Sequence, residues 1–153
     1  MQLSPSFTLE EFTFSETATR LGIDNTPSAE VVNRLVNTAH KLEIIRFRLG
    51  HPITITSGYR SPELNKKIGG SKNSAHCTGD AIDFVCRGFG DPYHVALAVL
   101  DTDVKFDQLI FEFSKWTHIS FAPQLRMMPL TIFDNKKGYI PGIRTKGEYD
   151  DGA

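Results

Sequence analysis

Ser74-Ala75-His76-Cys77-Thr78-Gly79-Asp80-Ala81-Ile82-Asp83-Phe84-Val85 passes from a polar loop into an apolar run. The run Ala81 to Val85 reads as a β-strand with a carboxylate in its middle and a histidine at its mouth. A charge inside an apolar strand is costly unless it is paired or holds a metal ion. Downstream, Trp116-Thr117-His118-Ile119-Ser120-Phe121 reads as another strand, with a second histidine in a similar setting. If the two strands are neighbours, His76, Asp83 and His118 meet at one face or end of a sheet. Two histidines and one carboxylate can make up the ligand set of a catalytic zinc site whose fourth position stays open for water. Gly79 and Ala81 are small enough to let the backbone turn closely around an ion. The competing reading is a solvated loop histidine and an edge-strand aspartate with no metal.

Working outward, Pro52-Ile53-Thr54-Ile55-Thr56 alternates as a strand does. Ser61-Pro62 predicts a short helix to Ile68, closed by Gly69-Gly70, and 73–80 reads as a polar loop. Thr8 to Glu11 has the spacing of a capping box and opens a short helix. Thr26-Pro27 fits the N-cap and first position of a long amphipathic helix carrying Val31, Leu35, Ala39, Leu42, Ile45 and Leu49, stopped by Gly50 and Pro52. Asp91-Pro92 caps a further helix to about Leu100. The segments 106–113 and 116–121 read as a hairpin around Ser114-Lys115, and 131–140 as a last small hairpin. Helices first, then strands interrupted by one helix, predict an α+β fold with helices packed on a small antiparallel sheet. The whole of 1–153 reads as one domain, with a polar, loosely held tail at 145–153.

Composition narrows the class. The chain has 153 residues, 40% hydrophobic and 23% charged, with eleven phenylalanines to build a core. A net charge of −1 and the lack of a basic run exclude a whole-chain field for nucleic acid or an acidic membrane. No apolar run approaches the ~20 residues of a membrane span. The first residues lack the basic and apolar regions of a secretory signal. The expectation is therefore a monomer made in the cytoplasm without a signal, acting elsewhere only after release. Two cysteines, Cys77 and Cys86, are too few for a four-thiolate zinc site, and a disulfide is disfavoured without export. A Cys77 nucleophile with His118 as base would leave Asp83 and Arg60 unexplained. His40 falls on the polar side of the long helix, and His51 and His94 have no evident partner.

Together, Ser57-Gly58-Tyr59-Arg60, Leu64-Asn65, Gly69-Gly70, the Ser74, His76, Gly79, Ala81 and Asp83 pattern, and Trp116-x-His118-Ile119-Ser120 resemble the zinc D-alanyl-D-alanine carboxypeptidase family. The resemblance is to the branch that also contains phage and bacterial cell-wall endopeptidases, and it covers about Phe7 to Phe121. It implies a hedgehog/DD-peptidase-like fold, zinc on His76, Asp83 and His118, and hydrolysis of an amide in peptidoglycan stem peptides or cross-bridges. It further implies that Arg60 stabilises the oxyanion and that Ser74 helps bind substrate. Many relatives place an acid three positions before the last histidine, but here that residue is Lys115. Glu112, on the adjoining strand, is the predicted general base and Asp107 the second choice. Trp116 is read as a wall of the site and Tyr59 as either cleft lining or core. For Arg60 the alternative is a structural salt bridge, and for Ser74 a loop-capping hydroxyl. Missing signals suit a phage-encoded lytic enzyme. The alternatives are a virion component that degrades wall locally, or a zinc-containing binding module without catalysis, which the lysine at 115 favours.

Overall fold

The computed structural model describes residues 1–151 of the chain. A short hairpin of β1 (Gln2–Ser4) and β2 (Phe7–Thr8) leads into α1 (Leu9–Thr13) and α2 (Glu16–Leu21). The predicted capping box is formed: Thr8 Oγ1 accepts from Glu11 N–H, and the Glu11 carboxylate accepts from Thr8 N–H. The long helix α3 spans Ala29–Leu49. It starts two residues later than Thr26-Pro27 suggested, because Asp24 Oδ1 accepts from Thr26 N–H and turns the chain there. Ser28 is the actual N-cap, and Gly50 ends the helix in the left-handed conformation at φ 70°.

Strands β3 (Thr54–Ser57), β4 (Ala81–Val85), β5 (Gln108–Glu112), β6 (Trp116–Ser120), β7 (Met128–Ile132) and β8 (Tyr139–Pro141) form one sheet in the order β3-β4-β6-β5-β7-β8. Between them lie α4 (Pro62–Lys67) and α5 (Pro92–Leu100), N-capped by Ser61 and Asp91 as expected. The polar loop 73–80 contains a single 3₁₀ turn, Ala75–Thr78, capped by Ser74. The sheet is mixed rather than antiparallel, since β7 runs parallel to β5. The reason is positional. Both edges of β6 are occupied, by β4 and β5, so the chain must reach the free edge of β5. It leaves β6 beside the start of β5, and the short loop 121–127 brings it back to that same end, with Met127 N–H and Met128 N–H donating to Phe106 and Asp107 carbonyls. The last hairpin is β7 and β8, a few residues wider than read from sequence. The tail expected at 145–153 is helical over Lys146–Asp151 (α6), while 152–153 lie outside the described residues.

Alternation along the strands separates two faces. Ile82, Phe84, Leu109, Phe111 and Ile119 join Leu35, Ala39, Leu42 and Ile45 of α3 and Val95 and Val99 of α5 in one core. The opposite face presents Asp83, Ile110, Glu112, Trp116 and His118 to a cleft of about 880 Å³. No described helix is long and apolar enough to cross a membrane.

Candidate metal centre

Neighbouring strands create the site. Asp83 of β4 and His118 of β6 are direct partners in the antiparallel register, so their side chains rise on the same face. His118 Nδ1 lies 2.9 Å from Asp83 Oδ1. His76 arrives from the 3₁₀ turn, whose chain reversal uses Gly79 at φ 82°. Its Nε2 lies 3.3 Å from the same Asp83 oxygen. Its other nitrogen, Nδ1, is 2.7 Å from the Gly58 carbonyl oxygen. That carbonyl can only accept, so Nδ1 carries a proton and Nε2 is the nitrogen turned toward Asp83. All three residues are buried, and one donor atom from each falls within 4.8 Å of the others.

Two imidazole nitrogens and one carboxylate oxygen, converging and buried, suit zinc with a coordination position left over. Burial alone would raise the Asp83 carboxyl, but His76 and His118 hold it well below the usual carboxylate range. It is therefore ionised and ready to bind a cation. Glu112 stands at the edge of this cluster, its Oε1 3.4 Å from His118 Nδ1. Burial pushes its carboxyl up to about 7, with His118 opposing and the Asp83 charge adding to the rise. A carboxyl beside a candidate metal site is a group that can both take and return a proton.

The remaining residues divide. Arg60 makes no salt bridge among the described residues, which removes the structural-pair alternative. Its Nη2 lies 3.4 Å from Ser74 Oγ, and its Nε is buried without a hydrogen-bond partner. Ser74 does cap the turn, accepting from His76 N–H at 3.1 Å, and it also lines the cleft. Trp116 forms cleft wall edge-on to Phe113, with ring centroids 5.6 Å apart. Tyr59 does not line the cleft: it is 7% exposed within the core, where its backbone N–H donates to Phe12. Asp107 is not free to serve as a base. Arg126 grips it through Nε at 2.6 Å and Nη2 at 3.0 Å, a forked pair. Cys77 and Cys86 are both free thiols, and burial raises Cys77 away from its reactive form. His94 pairs with Asp91 at the start of α5, and His40 is exposed.

Sequence reading missed the Gly58 carbonyl behind His76, since a main-chain acceptor has no residue signature. It also missed Arg126, Asn135 and Tyr139, which enter the cleft from beyond Phe121. Their arrival depends on β7 and β8 joining the sheet.

Fold and site together define an α+β domain built around a candidate mononuclear metal centre with an adjacent carboxyl group. The chain belongs to the Peptidase M15 family, whose profile matches residues 5–120. It is 37% identical over 79 residues to the zinc D-Ala-D-Ala carboxypeptidase of Streptomyces albus G. That alignment takes in 51% of this chain and 29% of the Streptomyces protein, so the chain spans under a third of that relative's length.

Proposed function

We propose that this protein is a zinc-dependent peptidase that hydrolyses an amide bond in peptidoglycan peptides, with residues 1–151 acting as one hedgehog/DD-peptidase-like catalytic domain. The observation that carries this reading is the convergence of His76, Asp83 and His118 on one point with Glu112 beside them. A zinc ion held by those three residues supplies Lewis acidity to the attacking water and the scissile carbonyl.

The chain's own groups do the rest. Glu112 accepts the proton of the attacking water and returns it to the nitrogen of the leaving amine. The Arg60 guanidinium faces the carbonyl oxygen as it gains negative charge, and its buried, unpartnered Nε is a donor in need of such an acceptor. Ser74 Oγ holds Arg60 in place through Nη2. The wall formed by Trp116 and Phe113 keeps bulk water from the reacting atoms. Lys115 does not displace this scheme, because Glu112 reaches His118 across the β5–β6 pair from the strand position opposite Trp116.

The test is mass spectrometry of purified peptidoglycan digested with zinc-loaded protein, beside a chelator-treated control. New amine and carboxyl termini that vanish with chelator are the expected result, and their position names the bond. No new termini from protein shown to retain zinc would favour a binding module instead.

A further inference from the structure

Strand order sets two walls on opposite sides of the metal ligands. Arg60 follows β3 at one edge of the sheet, Asp83 and His118 occupy β4 and β6, Glu112 lies on β5, and Tyr139 opens β8 at the other edge. The register aligns Trp116, Glu112, Ile132 and Tyr139 in one row across four strands. Tyr139 and Glu112 are two strand spacings apart, about 10 Å between backbones, with Ile132 between them in the row. Both line the same cleft. The Tyr139 phenol has no hydrogen-bond partner among the described residues, and the ring is 58% exposed at the cleft rim. Partial burial, then the nearby charges of Glu112 and Asp83, raise its pKa.

The chemistry of this wall is distinctive. Phe113, Trp116, Asn135 and Tyr139 are uncharged. The arginines that line the cleft belong elsewhere, Arg34 to α3, Arg60 to the β3–α4 loop and Arg126 to the 121–127 loop. On the reading given above, Glu112 hands its proton to the leaving amine, so the wall beyond Glu112 faces the amine half of the substrate. A terminal carboxylate there would sit beside Glu112, and none of the arginines that line the cleft belongs to this wall. A peptide that continues past the scissile bond would instead offer neutral carbonyl oxygens to the phenol and to Asn135.

We propose that Tyr139 forms the leaving-side subsite, donating a hydrogen bond to a backbone carbonyl on the amine side of the scissile amide and selecting cross-linked peptide over a free carboxyl terminus. This rests on the peptidase reading. It assigns a substrate role to a hairpin that lies outside the part of the chain matched by the family profile.

The test compares wild type with Tyr139→Phe, which removes the hydroxyl and keeps the ring. The probes are a purified cross-linked muropeptide dimer and a monomeric pentapeptide. For zinc-loaded protein the expected result is a KM for the dimer raised about fivefold to tenfold with kcat nearly unchanged, the range of one lost hydrogen bond. Calorimetry with metal-free protein, which leaves the dimer intact, should show Kd weakened by the same factor. A ring that merely packs would tolerate the change, so KM and Kd both within about twofold would overturn the subsite. Equal kcat/KM of the wild type on dimer and pentapeptide would overturn the selection. Wild type that neither cleaves nor binds the dimer would fell the peptidoglycan reading itself, and the subsite with it.

Discussion

A carboxylate at 6% exposure in an apolar strand is sustained only by what surrounds it, and Asp83 has two imidazoles within 3.3 Å of one oxygen. Removing its charge while keeping its shape should dismantle the metal site and little else. Asp83→Asn is expected to emerge from dialysis with almost no zinc, as read by metal analysis, while circular dichroism stays native. Glu112 plays a separable part. Glu112→Gln should keep its zinc and lose at least about a hundredfold in turnover, the scale of a lost general base. Its carboxyl, pushed up to about 7 in the metal-free protein, is partly protonated at neutral pH. A dication next to it favours the ionised form, so zinc binding near pH 7 should release protons. Calorimetry in buffers of different ionisation enthalpy should find fewer released by Glu112→Gln.

At the scale of elements, the site depends on how loops are pinned to strands. Gly58 is packed so closely against the Phe12 backbone that a Cβ would overlap the Phe12 carbonyl oxygen. Its own carbonyl orients His76. Gly58→Ala should therefore cost about 3 kcal/mol or more in denaturant unfolding and also weaken zinc affinity, coupling a turn to the metal. The 121–127 loop is held by the Asp107–Arg126 fork at the start of β5. The hydrogen bonds from Arg126 lead in holding the Asp107 carboxyl below its ordinary value of 3.8. A depressed pKa means stability present above pH ~3.8 and lost as the pH falls through the lower folded value. Asp107→Asn should cost about 2 kcal/mol at pH 6 to 7, and the gap from wild type should close below about pH 4.

For the whole molecule, the proposed ligands His76, Asp83 and His118 come from a 3₁₀ turn and two strands, so zinc held there would clasp distant parts of the chain. Binding to the folded state alone stabilises by about 2.7 kcal/mol when free zinc is a hundredfold above its Kd. For a chain of this length that is a rise in Tm of about 5 to 10 °C. Differential scanning calorimetry should show it, chelator should reverse it, and Asp83→Asn should abolish it.

The local parts of this protein were legible because local physics decides them. The capping box at Thr8, the α3 stripe from Val31 to Leu49, the Gly50 stop and the Ala81 to Val85 strand follow from spacing and side-chain type alone. The unusual cost of Asp83 in an apolar strand marked the site with His76 and His118 beside it, and the family resemblance, with Lys115 where an acid is expected, pointed to Glu112. Where α3 begins was misread, since a side-chain turn at Asp24 outcompeted a proline signal. The parallel pairing of β7 was invisible because it depends on which sheet edge is free, a property of no single segment. Tyr59 and Asp107 were likewise decided by packing, one drawn into the core and the other claimed by an arginine 19 residues away. Residue types and their periods thus determined most of the elements and brought His76, Asp83 and His118 forward as candidates. Only the tertiary structure decided which carboxyl faces the cluster, which carbonyl lies behind His76, and that Tyr139 lines the cleft, because each depends on contacts between segments remote in the chain.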